Sequence, residues 1–435
     1  MQAGVGSLAN IPELRRRILF VLAMLAVYRA GVQVPTPGIN GEAISDFFEQ
    51  VGGLFDMFNM FSGGALENFS IFALGIMPYI SASIIFQLLT VVVPYLEALK
   101  KEGESGRQKI TQYTRYATIG LAMVQGMFIS IGLEEMTAPG GVPVVIEPGW
   151  GFRLMTMITL TCGTAFLMWL GEQMTERGVG NGISLIIYAG IVASMPAALA
   201  NTYRMATTGE LTLIFIPLLL VMVLAVVGFI VFVETAQRRV PVQYAKRMVG
   251  RQMYGGQQSH LPLKINMAGV IPAIFASSIM MFPETIGNFI QIDWVQRASA
   301  MMAWGSLPHT VVFVVFLVFF CFFYVAVTFN PVDVADNLKR NGGFIPGVRP
   351  GKKTADFLDK VITRLTVVGA IYISAICVLP TVLISQFNVP FYFGGTALLI
   401  VVVVSLDTIG QIESHAMMRN YDGFLKQGRL GKNRR

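Results

Sequence analysis

The residue types best suited to acid–base or metal chemistry are scarce in this chain and poorly spaced for it. Its three histidines are His260, His309 and His415. No HExxH segment or paired-imidazole spacing sets two of them on one face of a helix, so no metal site is predicted. Cys162, Cys321 and Cys377 each lie inside an apolar run and read as small buried hydrophobes, not as a disulfide or thiolate set. The GVGNG run from Gly178 to Gly182 lacks the Lys-Ser/Thr pair and the preceding strand of a phosphate loop. It reads as a tight turn opening a helix, with Asn181 as the cap. No GxSxG nucleophile elbow occurs. The sequence therefore predicts no catalytic group, no metal and no cofactor, which argues against an enzyme. Among ionisable residues in apolar segments, Asp407 is the main carboxylate, with Glu172, Glu234 and Glu413 nearer segment ends. A lone carboxylate can relay a proton, so a solute carrier with its site at Asp407 is the alternative class.

The elements around these residues are those of a membrane protein. Of 435 residues 54% are hydrophobic and 13% charged, against about 25% charged in soluble domains. The stretch from Phe55 to Pro94 organises the rest. Its last part, Ala73 to Val93, is apolar over the about 20 residues a spanning helix needs. Its first part carries Phe55, Met57, Phe58, Met60 and Phe61 but is broken by Gly63-Gly64 and Glu67-Asn68. That pattern fits a half-helix folded beside or into a bundle, where irregular backbone must be buried in protein or face a water-filled cavity. It also fits an amphipathic segment packed on helix ends outside the bilayer.

Apolar runs of spanning length fall at roughly 17–34, 73–93, 113–133, 151–170, 183–200, 211–233, 268–290, 309–329, 361–384 and 393–413. Ten spans leave both termini on one side. Pro78, Pro272 and Gly369 fall within three of them. The first run follows Arg15-Arg16-Arg17 and has no small-residue cleavage site, so it reads as a first membrane helix and not as a signal peptide. Of the 32 Lys and Arg residues, 28 fall at the N-terminus, in the loops after spans 2, 4, 6 and 8, and in the tail. The positive-inside rule places those regions in the cytoplasm. The net charge of +7 is thus a one-sided distribution and not a nucleic-acid signature. Two basic loops, 237–264 with Arg238, Arg239, Lys246, Arg247 and Arg251, and 330–360 with Arg349, exceed what topology requires. They suit a docking platform for a large cytosolic partner with an acidic or RNA surface, besides contact with anionic lipid. Five spans precede and five follow residue 204, which predicts halves 1–204 and 205–435 in inverted orientation.

Several segments carry a resemblance. FNMFSGGAL and FALGIMPYISASI within Phe58–Ile84, KKEGESGR from Lys100, LGEQMTERGVGNGIS from Leu170, LPLKINMAGVIPAIFASS from Leu261, FNPVDVADNLKRNGGFIPGVRPG from Phe329 and VPFYFGGTALLIVVVV from Val389 occur in order over nearly the whole chain. They resemble the SecY/Sec61 alpha family of protein-conducting channels. The resemblance implies an all-helical fold of ten spans in two pseudo-symmetric inverted halves, with a short plug helix at about 58–69. It implies passage of unfolded polypeptides across a bacterial inner membrane, lateral release of hydrophobic segments into lipid, and drive from an external motor or the ribosome.

The same resemblance assigns residues. The plug corresponds to Phe58, Asn59, Met60, Phe61, Ser62, Gly63, Gly64, Ala65 and Leu66. The pore ring corresponds to Ile76, Ile80, Ile183, Ile187, Ile274 and Ile400, an apolar constriction that would exclude ions by dewetting. From spacing alone these six are ordinary core residues. The lateral gate, between spans 2 and 3 on one side and 7 and 8 on the other, corresponds to Ser81, Gln87, Gln125, Ser277, Ser278 and Phe282. Motor or ribosome docking falls to Arg238, Arg239, Lys246, Arg247, Arg251 and Arg349. The implied partners are SecE, SecG, the ATPase SecA, the ribosome, a translocating chain with its signal sequence and membrane lipid, with SecDF and YidC as auxiliaries.

Overall fold

The computed structural model describes residues 12–41, 43–44, 59, 62–136, 142–207, 215–244, 247–249, 252–254, 258–289, 306–387 and 395–432. Its helices are α1 Pro12–Val32, α2 Met77–Val92, α3 Pro94–Lys101, α4 Glu104–Glu135, α5 Trp150–Arg177, α6 Gly182–Thr207, α7 Phe215–Thr235, α8 Ile271–Phe289, α9 Leu307–Thr328, α10 Pro331–Arg340, α11 Lys352–Phe387 and α12 Gly395–Lys432. A helix occupies each of the ten predicted apolar runs. Among the described residues, seven helices are long and apolar enough to cross a membrane. An eighth candidate is α2 with α3, bent by 96° at its break. In α1 the first turns hold Glu13, Arg15, Arg16 and Arg17, and α8 supplies a shorter apolar helix over Ile271–Met280.

Proline starts helices here more often than it interrupts them. Pro78 stands in the first turn of α2 and Pro94 in that of α3, where a missing N–H costs nothing. Pro272 likewise begins α8, so neither Pro78 nor Pro272 breaks a span interior as their places in the apolar runs suggested. Residues 71–76 are turns that deliver the chain to Met77, so the predicted helix from 73 begins four residues later. Pro94 also explains the bend, since proline cannot continue the ladder of α2. The short α3 then lies across that direction with Leu96 and Leu99 buried and Lys100 and Lys101 in its last turn.

The chain divides into two compact units. The first comprises Met1–Glu210, Phe282–Trp304 and Ile400–Arg435. Its non-helical end is a knot of backbone pairs: Thr36 donates to Phe69 at 2.9 Å, Ile71 to Val34 at 3.0 Å, and Asn40 to Val144 at 2.9 Å. Ile44, Phe69, Val144, Val145, Phe152 and Leu160 form the core beneath it. Glu134 ties α4 to α5, accepting from Arg153 Nε and from the Gly149 backbone, each at 2.9 Å.

The second unit comprises Leu211–Met281 and Gly305–Leu399. Its core is aromatic, with Phe275 of α8 edge-on to Phe320 of α9 at 5.8 Å and Phe229 of α7 against Tyr372 of α11 at 5.9 Å. It also holds the named strands among the described residues, a departure from an all-helical expectation. The basic loop 237–264 is a β-hairpin in which β1 Gln237–Tyr244 pairs antiparallel with β4 Gln258–Lys264, and β2 Arg247–Val249 pairs with β3 Gln252–Tyr254. The second basic loop adds β5 Gly343–Phe344, giving a three-stranded sheet of order β4-β1-β5.

Candidate functional site

The predicted plug is seated in the first unit by α1. Tyr28 is buried, stacks on Phe72 at 6.2 Å, and donates from its hydroxyl to the Ser62 carbonyl at 2.8 Å. The next residue, Arg29, donates from Nη1 to the Gly63 carbonyl at 2.5 Å. Gly63 is there by necessity. Its φ is +69°, and a Cβ would lie 2.7 Å from the Tyr28 hydroxyl and 2.8 Å from Gly190 of α6. The segment closes on itself: Asn59 accepts from the Glu67 backbone at 3.1 Å and donates to its carboxylate at 2.9 Å, while Ser70 donates to the Ala65 carbonyl at 2.8 Å. Ala65 and Phe69 are buried, and Phe69 holds a φ of +38°, rare for a non-glycine residue. Of the plug assignment, Asn59, Ser62, Gly63, Gly64, Ala65 and Leu66 are described, whereas Phe58, Met60 and Phe61 lie outside the described residues.

Five of the six ring isoleucines, Ile76, Ile80, Ile187, Ile274 and Ile400, are buried, and Ile183 is half-buried. Ile76 and Ile80 are one turn apart, with the Ile80 amide on the Ile76 carbonyl at 3.1 Å. Ile183 and Ile187 share the same spacing on α6, and Ile183 leans on Gly171 of α5. Ile274 belongs to the second unit and the other five to the first.

Asn181 caps α6 as predicted, accepting from the amides of Ile183 and Ser184 at 3.1 and 3.2 Å. Gly182 lets α6 begin against α5, where a Cβ would overlap the Gly171 carbonyl.

Three of the polar residues assigned to the gate donate within their own helices. Ser277 Oγ donates to the Ala273 and Ile274 carbonyls at 3.0 Å, and Ser278 Oγ to Ile274 at 2.8 Å, all within α8. Gln87 donates to Ser83, one turn back on α2, at 3.3 Å. Ser81 is buried on α2 and Gln125 half-buried on α4. Phe282 belongs to α8, with its side chain outside the described residues.

The hairpin and the second basic loop carry those predicted docking residues that are described. Arg238 and Arg239 are exposed on β1, while Val240 and Val242 turn inward. Arg349 is exposed in the turn after β5, its carbonyl accepting from Thr354 Oγ1 at 2.9 Å. Pairing of Gln243 with Phe344 and Tyr244 with Gly343 joins the two basic loops into one platform. Arg247 starts β2, with its side chain outside the described residues, and Lys246 and Arg251 lie outside them altogether.

Sequence reasoning missed the plug seat on Tyr28 and Arg29, the hairpin, and a buried pair at its base. There Asn266 Nδ2 donates to Glu234 Oε1 at 2.7 Å. For the hairpin a signal existed: Val240 and Val242, and Leu261 and Leu263, alternate with period two.

Comparison with known proteins then bears on the whole arrangement. The SecY family profile matches residues 70–409. The protein translocase subunit SecY of Escherichia coli strain K12 is 53% identical over 426 residues, covering 97% of this chain and 96% of that protein. A structure described as showing that the SecY plug domain stabilises the closed channel and maintains a membrane seal superposes with a TM-score of 0.66. It is 19% identical and covers 92% of each chain. Sec61 in the canine ribosome–channel complex superposes at 0.63 with 16% identity, covering 92% of this chain and 91% of that one. More than half of the chain within the family profile and half its residues identical to a curated relative are enough to state that this chain belongs to the SecY family of protein-conducting channel subunits.

Proposed function

We propose that this protein-conducting channel is held shut by the segment 58–69, clamped to α1, and is opened by a partner docked on the β4-β1-β5 sheet. The observation that carries the reading is the pair of bonds from Tyr28 and Arg29 to the carbonyls of Ser62 and Gly63. They hold backbone carbonyls and not side chains, and Gly63 leaves the room that the Tyr28 hydroxyl needs to reach that of Ser62. The reading assigns the constriction to Ile76, Ile80, Ile183, Ile187, Ile274 and Ile400, whose branched apolar side chains exclude ions by dewetting and bind a passing chain weakly. It assigns sideways release to the helices bearing Ser81, Gln87, Gln125, Ser277, Ser278 and Phe282. Leu and Ile gain about 0.3 to 0.6 kcal/mol each in lipid, so a hydrophobic segment can be sorted by its own composition.

The same reading places the chain in a bacterial inner membrane with both termini cytoplasmic, supported by the one-sided Lys and Arg distribution. SecE and SecG are its small membrane partners, SecA or the ribosome its source of drive, and SecDF and YidC its auxiliaries. A ribosome partner is supported by the relative solved in a ribosome–channel complex. The test is ion conductance in a planar bilayer of the purified chain with its small partners, native against a deletion of residues 58–69. Near-silence in the native channel and a leak in the deletion are expected. Two silent channels that move a small solute would transfer the cavity to a carrier.

A further inference from the structure

The base of the hairpin carries an arrangement that neither the plug nor the docking surface uses. Glu234, at the end of α7, and Asn266, between β4 and α8, are both buried and joined by the 2.7 Å bond from Asn266 Nδ2 to Glu234 Oε1. Asn266 grips the start of α8 as well. Its Oδ1 accepts from the Gly269 amide at 3.2 Å, and its Nδ2 reaches the Gly269 carbonyl at 3.3 Å. Gly269 has a φ of +64° with open space where a Cβ would stand, the conformation of a joint. Immediately beyond it, the carbonyl of buried Val270 receives the amides of Ala273 and Ile274 in the first turn of α8.

On the other side of Asn266 the hairpin is stiff. β1 and β4 pair without a bulge from Gln237↔Lys264 to Gln243↔Gln258, and the Ile265 amide closes the base on the Ala236 carbonyl at 3.1 Å. Gly369 of α11 approaches this corner: a Cβ there would lie 3.4 Å from the Ile265 carbonyl and 3.5 Å from Asn266 Oδ1. The joint is thus enclosed on the α11 side, and a tilt of the hairpin has Asn266 and Gly269 as its bonded route into α8.

We infer that Glu234 and Asn266 form the coupling joint through which a load on the hairpin repositions the start of α8, and with it Ile274, Ser277 and Ser278. Both are positioning residues, and the inference rests on the docking reading above. The pair suits the task because Asn266 binds both Glu234 on α7 and the Gly269 backbone ahead of α8, so one side chain spans the two elements.

The test uses the full chain with its small partners in nanodiscs and purified ribosomes as the load. Two quantities are measured: ribosome affinity, and the change in amide hydrogen exchange over residues 266–274 on ribosome binding. In Asn266→Ala, affinity is expected to stay within about twofold of native while the exchange response falls about tenfold, the factor carried by loss of the Asn266 hydrogen bonds to Glu234 and Gly269. Glu234→Gln, whose amide oxygen still accepts from Asn266, is expected to retain most of the response. An undiminished response in Asn266→Ala overturns the joint. So does a parallel loss of affinity and response, which would make the pair a mere fold support for the hairpin. If the native chain fails to bind ribosomes, the docking reading falls first and the joint with it.

Discussion

Tyr28 joins two demands that phenylalanine could only half meet. Its ring lies on Phe72, which lies on Phe166 in turn, and this column aims the hydroxyl at the Ser62 carbonyl. Tyr28→Phe keeps the stack and strands a buried carbonyl, at about 1 kcal/mol. Leak conductance of the resting channel should therefore rise about fivefold with folding intact, read in the same planar-bilayer recordings. Asp407 offers the opposite expectation. It is exposed on α12 and belongs to none of the plug, ring, gate or docking assignments, so Asp407→Asn should export a signal-bearing precursor into vesicles at close to the native rate. A sharp loss with normal abundance would revive a carrier with its site there. At this scale the sequence was legible where local chemistry decides, as with Asn181 capping α6. The ring assignment of the six isoleucines rests on resemblance alone, because an isoleucine in a constriction and one in a core obey the same burial rule.

Among the elements, close backbone approaches set by glycine are tight constraints. A Cβ on Gly163 of α5 would overlap the Ile71 carbonyl, in the turns that lead into α2. Backbone cannot swing aside as a flexible side chain can. Gly163→Ala should cost about 1–3 kcal/mol and lower the unfolding temperature in detergent. Gly120→Ala on α4, where a Cβ meets nothing within 4 Å, should leave it unchanged or raise it. The helices that fall on the apolar runs were readable since length and hydrophobicity alone specify a span. The hairpin was not, for a reason in its own residues. Pro241 and Pro262 sit inside β1 and β4, and proline normally argues against a strand. Pro241 is tolerated because β5 pairs with β1 only at Gln243 and Tyr244, leaving its second edge open at that point.

For the whole molecule, the asymmetry of its basic residues and the sheet built from two distant loops belong together. Arg238, Arg239 and Arg349 stand on one platform although more than a hundred residues separate them, and their combined field should steer a polyanionic partner. Arg238→Glu with Arg239→Glu should weaken ribosome binding and flatten its dependence on salt, by about one unit of log–log slope for each phosphate left unneutralised, measured as affinity across a salt series. Equal slopes would remove those two arginines from the docking surface. The two seams of the platform are unequal, since β1 holds β4 through seven residue pairs and β5 through two. Local openings are graded by how much structure each must break, so the narrower seam parts first. That seam is expected to act as a shear pin: under a load applied at Arg349, amide exchange should rise at Phe344 before it rises across β1 and β4, the hairpin keeping its register.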